Sequence, residues 1–253
     1  MTIHYWFNAV SRILANVVAD AGRPGLERFA FTQELLRSGS RFDHRPQAPA
    51  RHFLDLYPEA EALSLQVGEL RYTRSNANPL EVFCLGCIAA LRQPKRIFEI
   101  GTFDGATTVQ LAAAAPGAEI FTLDLDPASV NAAQPATIQG EVQNVRDGGV
   151  GQRFIGKAAA QRIHQLLGDS TKFDYRPYHG TIDFVFIDAC HDYAFAKSDT
   201  ANALRMCPDG VIVWHDYCTG WPGVVRAVDE LLPEHRIQHI AGTSLAILDR
   251  AIR

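Results

Sequence analysis

Four side chains that can bind a metal or move a proton lie in two short segments of the sequence. Asp188 and His191 follow one short apolar run, and His215 and Asp216 follow the next. Carboxylate oxygens and imidazole nitrogens are ligands for a divalent ion such as Mg²⁺, Mn²⁺ or Fe²⁺. His191 is also a candidate general base, because the unperturbed pKa of histidine lies close to neutrality. A hydrogen-bonded polar rim without a metal is the alternative that the sequence leaves open.

A second informative stretch is the glycine turn Glu99-Ile100-Gly101-Thr102-Phe103-Asp104-Gly105. It links an apolar segment to a helical one, and two glycines four positions apart let the backbone fold tightly against a ligand. The N–H groups at the start of that helix, near Thr107, can bind a negative or polar group. A dinucleotide fingerprint would have a glycine in place of Phe103. The turn therefore predicts a nucleotide-type ligand and disfavours a dinucleotide.

Polar residues also follow the second and third strands that the sequence predicts. Asp124 comes about twenty positions after the glycine turn, which suits hydrogen bonds to ribose hydroxyls. Leu125 would then lie where an adenine face can pack, whereas Asp126 precedes a proline and is better explained as a helix cap. Asp169 and Ser170 can hydrogen-bond an adenine edge, although the pair taken alone is more typical of a turn.

From residue 95 onward, short apolar segments alternate with helical ones. The predicted strands are Arg96–Ile100, Ile120–Leu123, His164–Leu167, Ile182–Ile187, Val211–His215, Arg236–Ile240 and Ser244–Leu248. The predicted helices between them are Thr107–Ala115, Ala128–Ala133, Ala194–Met206 and Val224–Leu232. Such alternation implies an α/β fold with a doubly wound, mainly parallel sheet. Ligands of these sheets bind beyond the carboxyl ends of the strands, where the side chains above are expected to meet.

Residues 1–92 show no clear strand and have apolar residues at helical spacing. Asn78-Pro79 predicts the start of a helix that ends near Arg92. Within this helix, Cys84 and Cys87 have CxxC spacing, for which packing in the core is favoured over redox or metal chemistry. Four polar residues before the helix could line the site or lie in a surface loop: Tyr72, Arg74, Asn76 and Asn78.

Composition excludes several classes of partner. With 47% hydrophobic residues, 21% charged residues and a net charge of −4, the chain is typical of a globular protein and does not favour nucleic acid or an anionic membrane as its main partner. No apolar run approaches the length needed to span a bilayer, and polar residues interrupt any signal-peptide core near the N-terminus. The five cysteines are most simply reduced thiols of a cytoplasmic protein.

Together these motifs resemble the class I S-adenosylmethionine-dependent methyltransferases over residues 95 to about 250. The glycine turn is similar to the first motif of that family, and Asp124 falls on its ribose-binding acid. Closest are the small-molecule O-methyltransferases, including the macrocin-type and catechol-type enzymes. Their recurring features are matched by Asp188-x-x-His191-x-Tyr193, by Trp214-His215-Asp216-Tyr217 and by the segment from Gly223 to Val228.

The resemblance implies a Rossmann-like, seven-stranded sheet whose last strand is antiparallel. It implies that S-adenosylmethionine contacts Glu99, Gly101, Thr102, Phe103, Gly105, Thr107, Asp124, Leu125, Asp169, Ser170 and Asp188. In metal-dependent relatives the Mg²⁺ ligands fall on Asp188, His215 and Asp216, although those relatives usually have a carboxylate or amide at the place of His215. His191 falls on the general base of the macrocin-type enzymes, with Asp188 as the second catalytic residue. Acidic groups such as Glu99 and Asp104 would not repel a sulfonium.

These observations lead to one hypothesis with two competitors. The hypothesis is an S-adenosylmethionine-dependent O-methyltransferase of a hydroxylated small molecule, with a sugar or glycosylated natural product as the first expectation. Residues 1–94 would form a helical cap and dimerisation region, and residues 95–253 the methyltransferase domain of a cytoplasmic homodimer. An NAD-dependent oxidoreductase is the enzymatic competitor, and a non-catalytic cofactor-binding protein of the same fold is the other.

Overall fold

A computed structural model describes residues 45–69, 76–126 and 149–252 of the chain. The chain divides into two compact units, residues 1–43 and 44–253, and the described residues all belong to the second. The predicted helix at 128–133, with Tyr72 and Arg74, lies outside them. Within the described ranges, every helix is too short or too polar to cross a membrane.

Eight strands form one mixed sheet in the described part of the chain. In chain order they are β1 (Ala50–Arg51), β2 (Arg96–Ile100), β3 (Glu119–Asp124), β4 (Ile163–Leu167), β5 (Phe184–Ile187), β6 (Val211–Trp214), β7 (Gln238–Ile240) and β8 (Ala246–Asp249). Their spatial order is β1-β7-β8-β6-β5-β2-β3-β4, and β8 runs antiparallel to both of its neighbours. The predicted α/β fold with an antiparallel last strand is therefore confirmed.

Strand β1 lies in residues 1–92, where the sequence shows no clear strand with period-two alternation, and it adds an eighth strand to the predicted seven. Its two residues pair in parallel with His239 and Ile240 of β7 at the edge of the sheet. A strand of two residues is too short to show period-two alternation, so the sequence pattern could not reveal it.

Five α-helices flank the sheet within the described ranges. They are α1 (Phe53–Leu56), α2 (Pro79–Arg92), α3 (Ala106–Ala114), α4 (Tyr193–Met206) and α5 (Pro222–Asp229). Short 3₁₀ turns are found at Pro58–Ala62, Ala158–Arg162 and Arg176–Tyr178. Helix α2 begins as predicted, because the Asn78 side chain accepts hydrogen bonds from the N–H groups of Leu80 and Glu81. The Glu81 carboxylate in turn accepts from the N–H of Asn78, which completes a capping box.

Alternation along the central strands divides the core between the two faces of the sheet. Phe186 of β5 packs in one apolar cluster with Leu85 of α2 and Leu111 of α3. The adjacent residue Val185 belongs to a second cluster, which includes Val225 of α5. Each large apolar side chain buried in this way stabilises the fold by roughly 1.5–3 kcal/mol. Both faces are thereby covered, and the carboxyl edge of the sheet is left to bind ligands.

The described part of the N-terminal region belongs to the same compact unit as the sheet. Besides the pairing of β1 with β7, the Tyr57 hydroxyl and the Arg92 guanidinium both donate hydrogen bonds to Asp249 of β8. Cys84 and Cys87 are buried and unpaired in α2, in keeping with the core-packing interpretation, and burial raises the pKa of Cys84 to about 12. A cap and dimerisation role for residues 1–94 stays a prediction.

Candidate active site

The glycine turn after β2 lies directly against the end of β5. These strands are neighbours, and the chain continues from β2 and from β5 toward opposite edges of the sheet, which is where α/β proteins form their ligand crevice. Gly101 has a φ of 104°, and a Cβ atom there would lie 1.9 Å from the carbonyl oxygen of Asp188. Only glycine fits this position, so the turn and the first residue of the predicted metal site are in contact through the backbone.

Asp124, at the end of β3, holds the turn from the other side. Its Oδ2 accepts a hydrogen bond from the N–H of Phe103 at 2.6 Å, and its Oδ1 accepts from the N–H of Leu125 at 2.7 Å. Phe103 has a φ of 46°, a left-handed conformation that is uncommon for a residue with a side chain. The structure thus brings Asp124 and the turn together as the sequence predicted, with the carboxylate stabilising the backbone of the turn.

Glu99 is fully buried beneath the turn, in the middle of the sheet. Its Oε2 accepts hydrogen bonds from the hydroxyls of Thr108 and Thr122 at 2.5 and 2.6 Å. Among the described residues, its Oε1 has no hydrogen-bond partner. Burial raises the pKa of Glu99 to about 8, and the two threonine hydroxyls oppose that shift only in part. An unpartnered oxygen below the turn suits a hydrogen-bond donor of a ligand.

Asp104, expected as an acid near a cationic ligand, is instead paired within the protein. Its carboxylate accepts from the Arg153 guanidinium at 2.6 Å and from the Asn76 amide at 2.9 Å. The backbone joins in, since the N–H of Arg153 donates to the carbonyl of Asp104 and that of Gly151 to Phe103. This contact was not expected, because the sequence predicts no helix or strand between residues 133 and 164. The turn is therefore fixed from outside by the 149–156 segment.

The remaining predicted cofactor residues surround the turn and the ends of β3 and β4. Thr102 and Thr107 are buried, and Leu125 is half-buried. Asp169 forms a local turn, in which its carboxylate accepts from the N–H and hydroxyl of Thr171 and pairs with Lys172 at 2.7 Å. Burial acts to raise the pKa of Asp169, but these hydrogen bonds outweigh it and lower the pKa. Contacts of Asp169 and Ser170 with an adenine stay a prediction.

The four polar residues after β5 and β6 converge as the sequence predicted. Nδ1 of His215 lies 2.9 Å from Oδ1 of Asp188 and 3.3 Å from Oδ2 of Asp216. Nε2 of His191 lies 2.6 Å from the same Oδ2. Asp216 adopts a left-handed φ of 56°, a strained conformation for this residue that aims its carboxylate between the two imidazoles. We call Asp188, His191, His215 and Asp216 the rim.

Glu81, at the third position of α2, is a further acid at the rim that the sequence analysis did not identify. Its Oε2 lies 3.0 Å from Nε2 of His215, and its side chain is almost fully buried. The signal that could have found it is the capping-box spacing Asn78-x-x-Glu81, which marks a glutamate folded back over the start of a helix. Both ring nitrogens of His215 are thus occupied by carboxylates.

The charges of the rim are mutually stabilising. Burial acts to raise the pKa of Glu81, but hydrogen bonds from His215 and Ser244 outweigh it and lower the pKa to about 2. For His215, burial acts to lower the pKa, yet the charge of Asp188 and hydrogen bonds to the three carboxylates raise it well above its usual value. The pKa of Asp216 is lowered by hydrogen bonds from its two imidazole partners, which outweigh the effect of burial. These shifts favour ionised carboxylates at Glu81 and Asp216 and a positively charged ring at His215.

The aromatic residues of the Trp214-His215-Asp216-Tyr217 motif have a structural role. The Trp214 indole donates to the Thr200 hydroxyl at 2.9 Å in the core. The buried Tyr217 hydroxyl donates to Asp229 and accepts from the N–H of Ala48. The outer two residues of the motif therefore anchor the strand end, and His215 and Asp216 between them face the site.

Helix α5 closes one side of the rim. A Cβ atom at Gly223 would lie 2.3 Å from the carbonyl oxygen of His191, so glycine is required for the helix to approach the turn after β5. Trp221, the residue before α5, stacks on the His191 ring with the centroids 3.9 Å apart and the planes 20° from parallel. Its side chain remains 42% exposed, so the indole is within reach of a ligand. A small pocket beside it is lined by Asp188, His191 and His215 together with apolar residues.

The donor set of the rim fits a divalent ion. One ligand atom from each of Asp188, His215 and Asp216 lies within 4.8 Å of the other two. Two carboxylates and an imidazole are donors that first-row divalent metals accept. These atom positions fit either a set of ion pairs among the rim residues or a bound divalent ion.

Comparison with known proteins agrees with this geometry. Residues 98–217, from the middle of β2 to the end of the rim, match the family model described as a methyltransferase domain. This segment of the chain is therefore similar to a methyltransferase domain. The match begins after Glu81, so the family model does not include that carboxylate.

Several solved structures of methyltransferases are similar to this chain. A methyltransferase from Geobacter sulfurreducens is 15% identical, with a TM-score of 0.50, 69% of this chain covered and 79% of that chain. Cofactor-bound Rv0187 from MTB is 22% identical, with a TM-score of 0.48 and coverage of 78% and 88%. The O-methyltransferase TomG from Streptomyces achromogenes, solved with SAM, is 19% identical, with a TM-score of 0.46 and coverage of 78% and 96%. At 15% identity, the similarity to the Geobacter sulfurreducens protein bears on the fold alone.

Proposed function

We propose that the protein transfers a methyl group from S-adenosylmethionine to a hydroxyl group of a small molecule. The observation that carries this proposal is the contact of Gly101 with the backbone of Asp188, which joins the cofactor turn to the His191–Asp216 pair. A donor bound along the turn and at Asp124 would present its methyl group toward the rim. Positioning of the two reactants contributes most to an in-line displacement at carbon.

His191 is the proposed general base. Asp216 holds Nε2 at 2.6 Å, which favours the tautomer that carries its proton on Nε2 and has Nδ1 as the proton acceptor. His191 would take the hydroxyl proton at Nδ1 while the oxygen forms its bond to the methyl carbon and the carbon–sulfur bond breaks. The products are a methyl ether and a neutral thioether, S-adenosylhomocysteine, and Asp216 stabilises the imidazolium that results.

The acceptor is proposed to be a sugar or a glycosylated natural product. Trp221 supports this choice, because its exposed indole lies next to His191 and offers an apolar surface on which a sugar or aromatic ring can stack. Asp188, His215 and Asp216 are the residues that would hold a divalent cation. When bound, such a cation would lower the pKa of a coordinated hydroxyl.

Ligand binding tests this proposal. Calorimetric titration of the purified protein with S-adenosylmethionine, S-adenosylhomocysteine and NAD should show binding of the first two and none of NAD. Asp124→Ala should weaken S-adenosylmethionine by about 1–3 kcal/mol through lost ribose hydrogen bonds. Asp174→Ala, an exposed aspartate far along the chain, is the control and should bind as the wild type does. Binding of NAD alone would overturn the proposal.

A further inference from the structure

We infer that the rim is built for a divalent cation of the manganese, iron and zinc group rather than for Mg²⁺, and that Glu81 is the positioning residue that makes it so. Glu81 holds one nitrogen of His215 and thereby turns the other nitrogen toward Asp188 and Asp216. The inference deepens the function proposed above and depends on methyl transfer only for the role of the cation in the reaction.

The spacing of the donor atoms supports a single ion. Nδ1 of His215 lies 2.9 Å from Oδ1 of Asp188 and 3.3 Å from Oδ2 of Asp216. Ligands at about 2.1 Å from one ion and at right angles to each other are about 3 Å apart. The same distances would serve hydrogen bonds, so the orientation of the imidazole must be explained independently.

Glu81 supplies that explanation. Its Oε1 accepts from the N–H and hydroxyl of Ser244 at 2.7 and 2.8 Å, and its Oε2 accepts from the N–H of Asn78 at 2.9 Å. A carboxylate held by three donors from two parts of the chain cannot turn away from His215, whose Nε2 lies 3.0 Å from Oε2. Because a carboxylate only accepts, Nε2 must carry a proton, so Nδ1 is the nitrogen that can give up its proton and bind a cation lying between Asp188 and Asp216.

A metal-binding histidine commonly donates its second N–H to a carboxylate, which fixes the tautomer and the direction of the ring. Glu81, His215 and the two aspartates have this arrangement. The family-model match covers residues 98–217, so it includes the three donors but not the glutamate that orients one of them.

The imidazole determines which ions are accepted. Mg²⁺ prefers an all-oxygen octahedron, whereas imidazole nitrogen suits zinc, iron and the other later divalent ions, and Mn²⁺ accepts mixed nitrogen and oxygen ligands. A carboxylate in place of His215 would give an all-oxygen set. The side chain at position 215 is therefore expected to set the preference between Mn²⁺ and Mg²⁺.

The experiment measures binding of Mn²⁺ and Mg²⁺ to the full chain after removal of metals by a chelator. Free Mn²⁺ is followed by electron paramagnetic resonance, and Mg²⁺ is added as a competitor. The wild type should bind one Mn²⁺ at least tenfold more tightly than Mg²⁺. His215→Asp should shift the ratio of the two affinities tenfold or more toward Mg²⁺.

Variants of Glu81 test its positioning role. Glu81→Leu should weaken Mn²⁺ binding 10–100-fold, the usual loss when an orienting carboxylate is removed. Glu81→Gln, whose amide oxygen can still accept from Nε2, should bind Mn²⁺ less tightly than the wild type and more tightly than Glu81→Leu. If the leucine variant fails to fold, the comparison of Glu81→Gln with the wild type still tests the role of Glu81. Glu59→Gln, at an exposed position, is the control and should leave Mn²⁺ binding unchanged.

Three outcomes overturn the inference: no Mn²⁺ bound by the wild type, equal affinity for Mg²⁺, or unchanged Mn²⁺ binding in both Glu81 variants. The first outcome would instead indicate that His215 serves as an imidazolium between carboxylates. Titration of the same samples with S-adenosylmethionine distinguishes the two proposals. If the wild type binds S-adenosylmethionine but no Mn²⁺, only the inference about the cation is overturned. If the wild type does not bind S-adenosylmethionine, the proposed function is overturned.

Discussion

Two buried glutamates, Glu99 beneath the glycine turn and Glu81 at the rim, have pKa values that are shifted in opposite directions. Glu99 is surrounded by the hydroxyls of Thr108 and Thr122, and burial raises its pKa to about 8. Glu81 is nearly as buried, but hydrogen bonds from His215 and Ser244 outweigh burial and lower its pKa to about 2. A hydroxyl cannot neutralise a carboxylate in a dry site, whereas an imidazolium can.

The difference indicates that the two regions have different roles. The turn is held by backbone hydrogen bonds, by the Asp124 carboxylate and by the Asp104–Arg153 ion pair, and the unpartnered oxygen of Glu99 below it suits a hydrogen-bond donor of a ligand. The rim concentrates ionised groups around one imidazole, which suits proton transfer and a cation. Variants that affect one region should therefore leave the properties of the other largely unchanged.

The largest effect is expected from the base at the rim. His191→Gln removes the proton acceptor and should lower the rate of methyl transfer by about 10²–10⁴-fold. Binding of S-adenosylmethionine should be unchanged, which is the reverse of the pattern expected for Asp124→Ala. Release of S-adenosylhomocysteine, with an acceptor found by screening sugars and glycosides, measures the rate. His164→Gln on β4 is the matched control, and a loss below tenfold in His191→Gln would show that another group is the base.

An intermediate effect is expected for the pH dependence that Glu99 contributes to stability. Its pKa in the folded protein is raised from about 4.5 to about 8, so the folded state binds more protons between these values and loses stability as pH rises. Glu81 adds no slope over that interval, because its lowered pKa lies below it. Urea unfolding of wild type and Glu99→Gln should show their difference changing by about 2–4 kcal/mol between pH 4.5 and 8, with the wild type favoured at the acidic end. A constant difference would mean that Glu99 is ionised throughout.

The smallest effect is expected at the start of α2. Asn78→Ala removes the side-chain acceptor for two N–H groups and should cost about 1 kcal/mol of unfolding free energy. Helix α3, beneath the turn, begins at Ala106 after Gly105, which has no side chain to act as a cap, and the Asp104 carboxylate accepts from the N–H of Ala106 instead. Asn202→Ala, inside α4, is the control and should be neutral or slightly stabilising, because alanine favours the helix interior. Equal losses in both variants would indicate that the cap is not specific.

The sequence predicted the turn more completely than the rim. Glu99 to Gly105 is contiguous, so its residue types and spacing could be read directly, and Asp124 follows a recognisable strand. Asp188, His191, His215 and Asp216 were found because neighbouring parallel strands end at the same edge. Glu81 was missed since it lies 134 positions from His215 in the chain and reaches it only through the packing of α2.

Other parts of the structure were invisible for similar reasons. The pairing of Arg153 with Asp104 depends on a segment for which the sequence predicts neither a strand nor a helix. Strand β1 owes its existence to the edge of β7 rather than to its own two residues. Local pattern thus predicted the elements that position the site, while contacts across long sequence separations supplied its charge balance.

The position of Glu81 also sets the smallest fragment that can keep the site intact. A chain trimmed to start at residue 95 would retain the whole family-matched segment, 98–217, and every residue of the rim. It would nevertheless leave Nε2 of His215 and the N–H of Ser244 without their acceptor. A fragment that keeps the proposed site intact therefore begins no later than Asn78, some twenty residues before the family-matched segment.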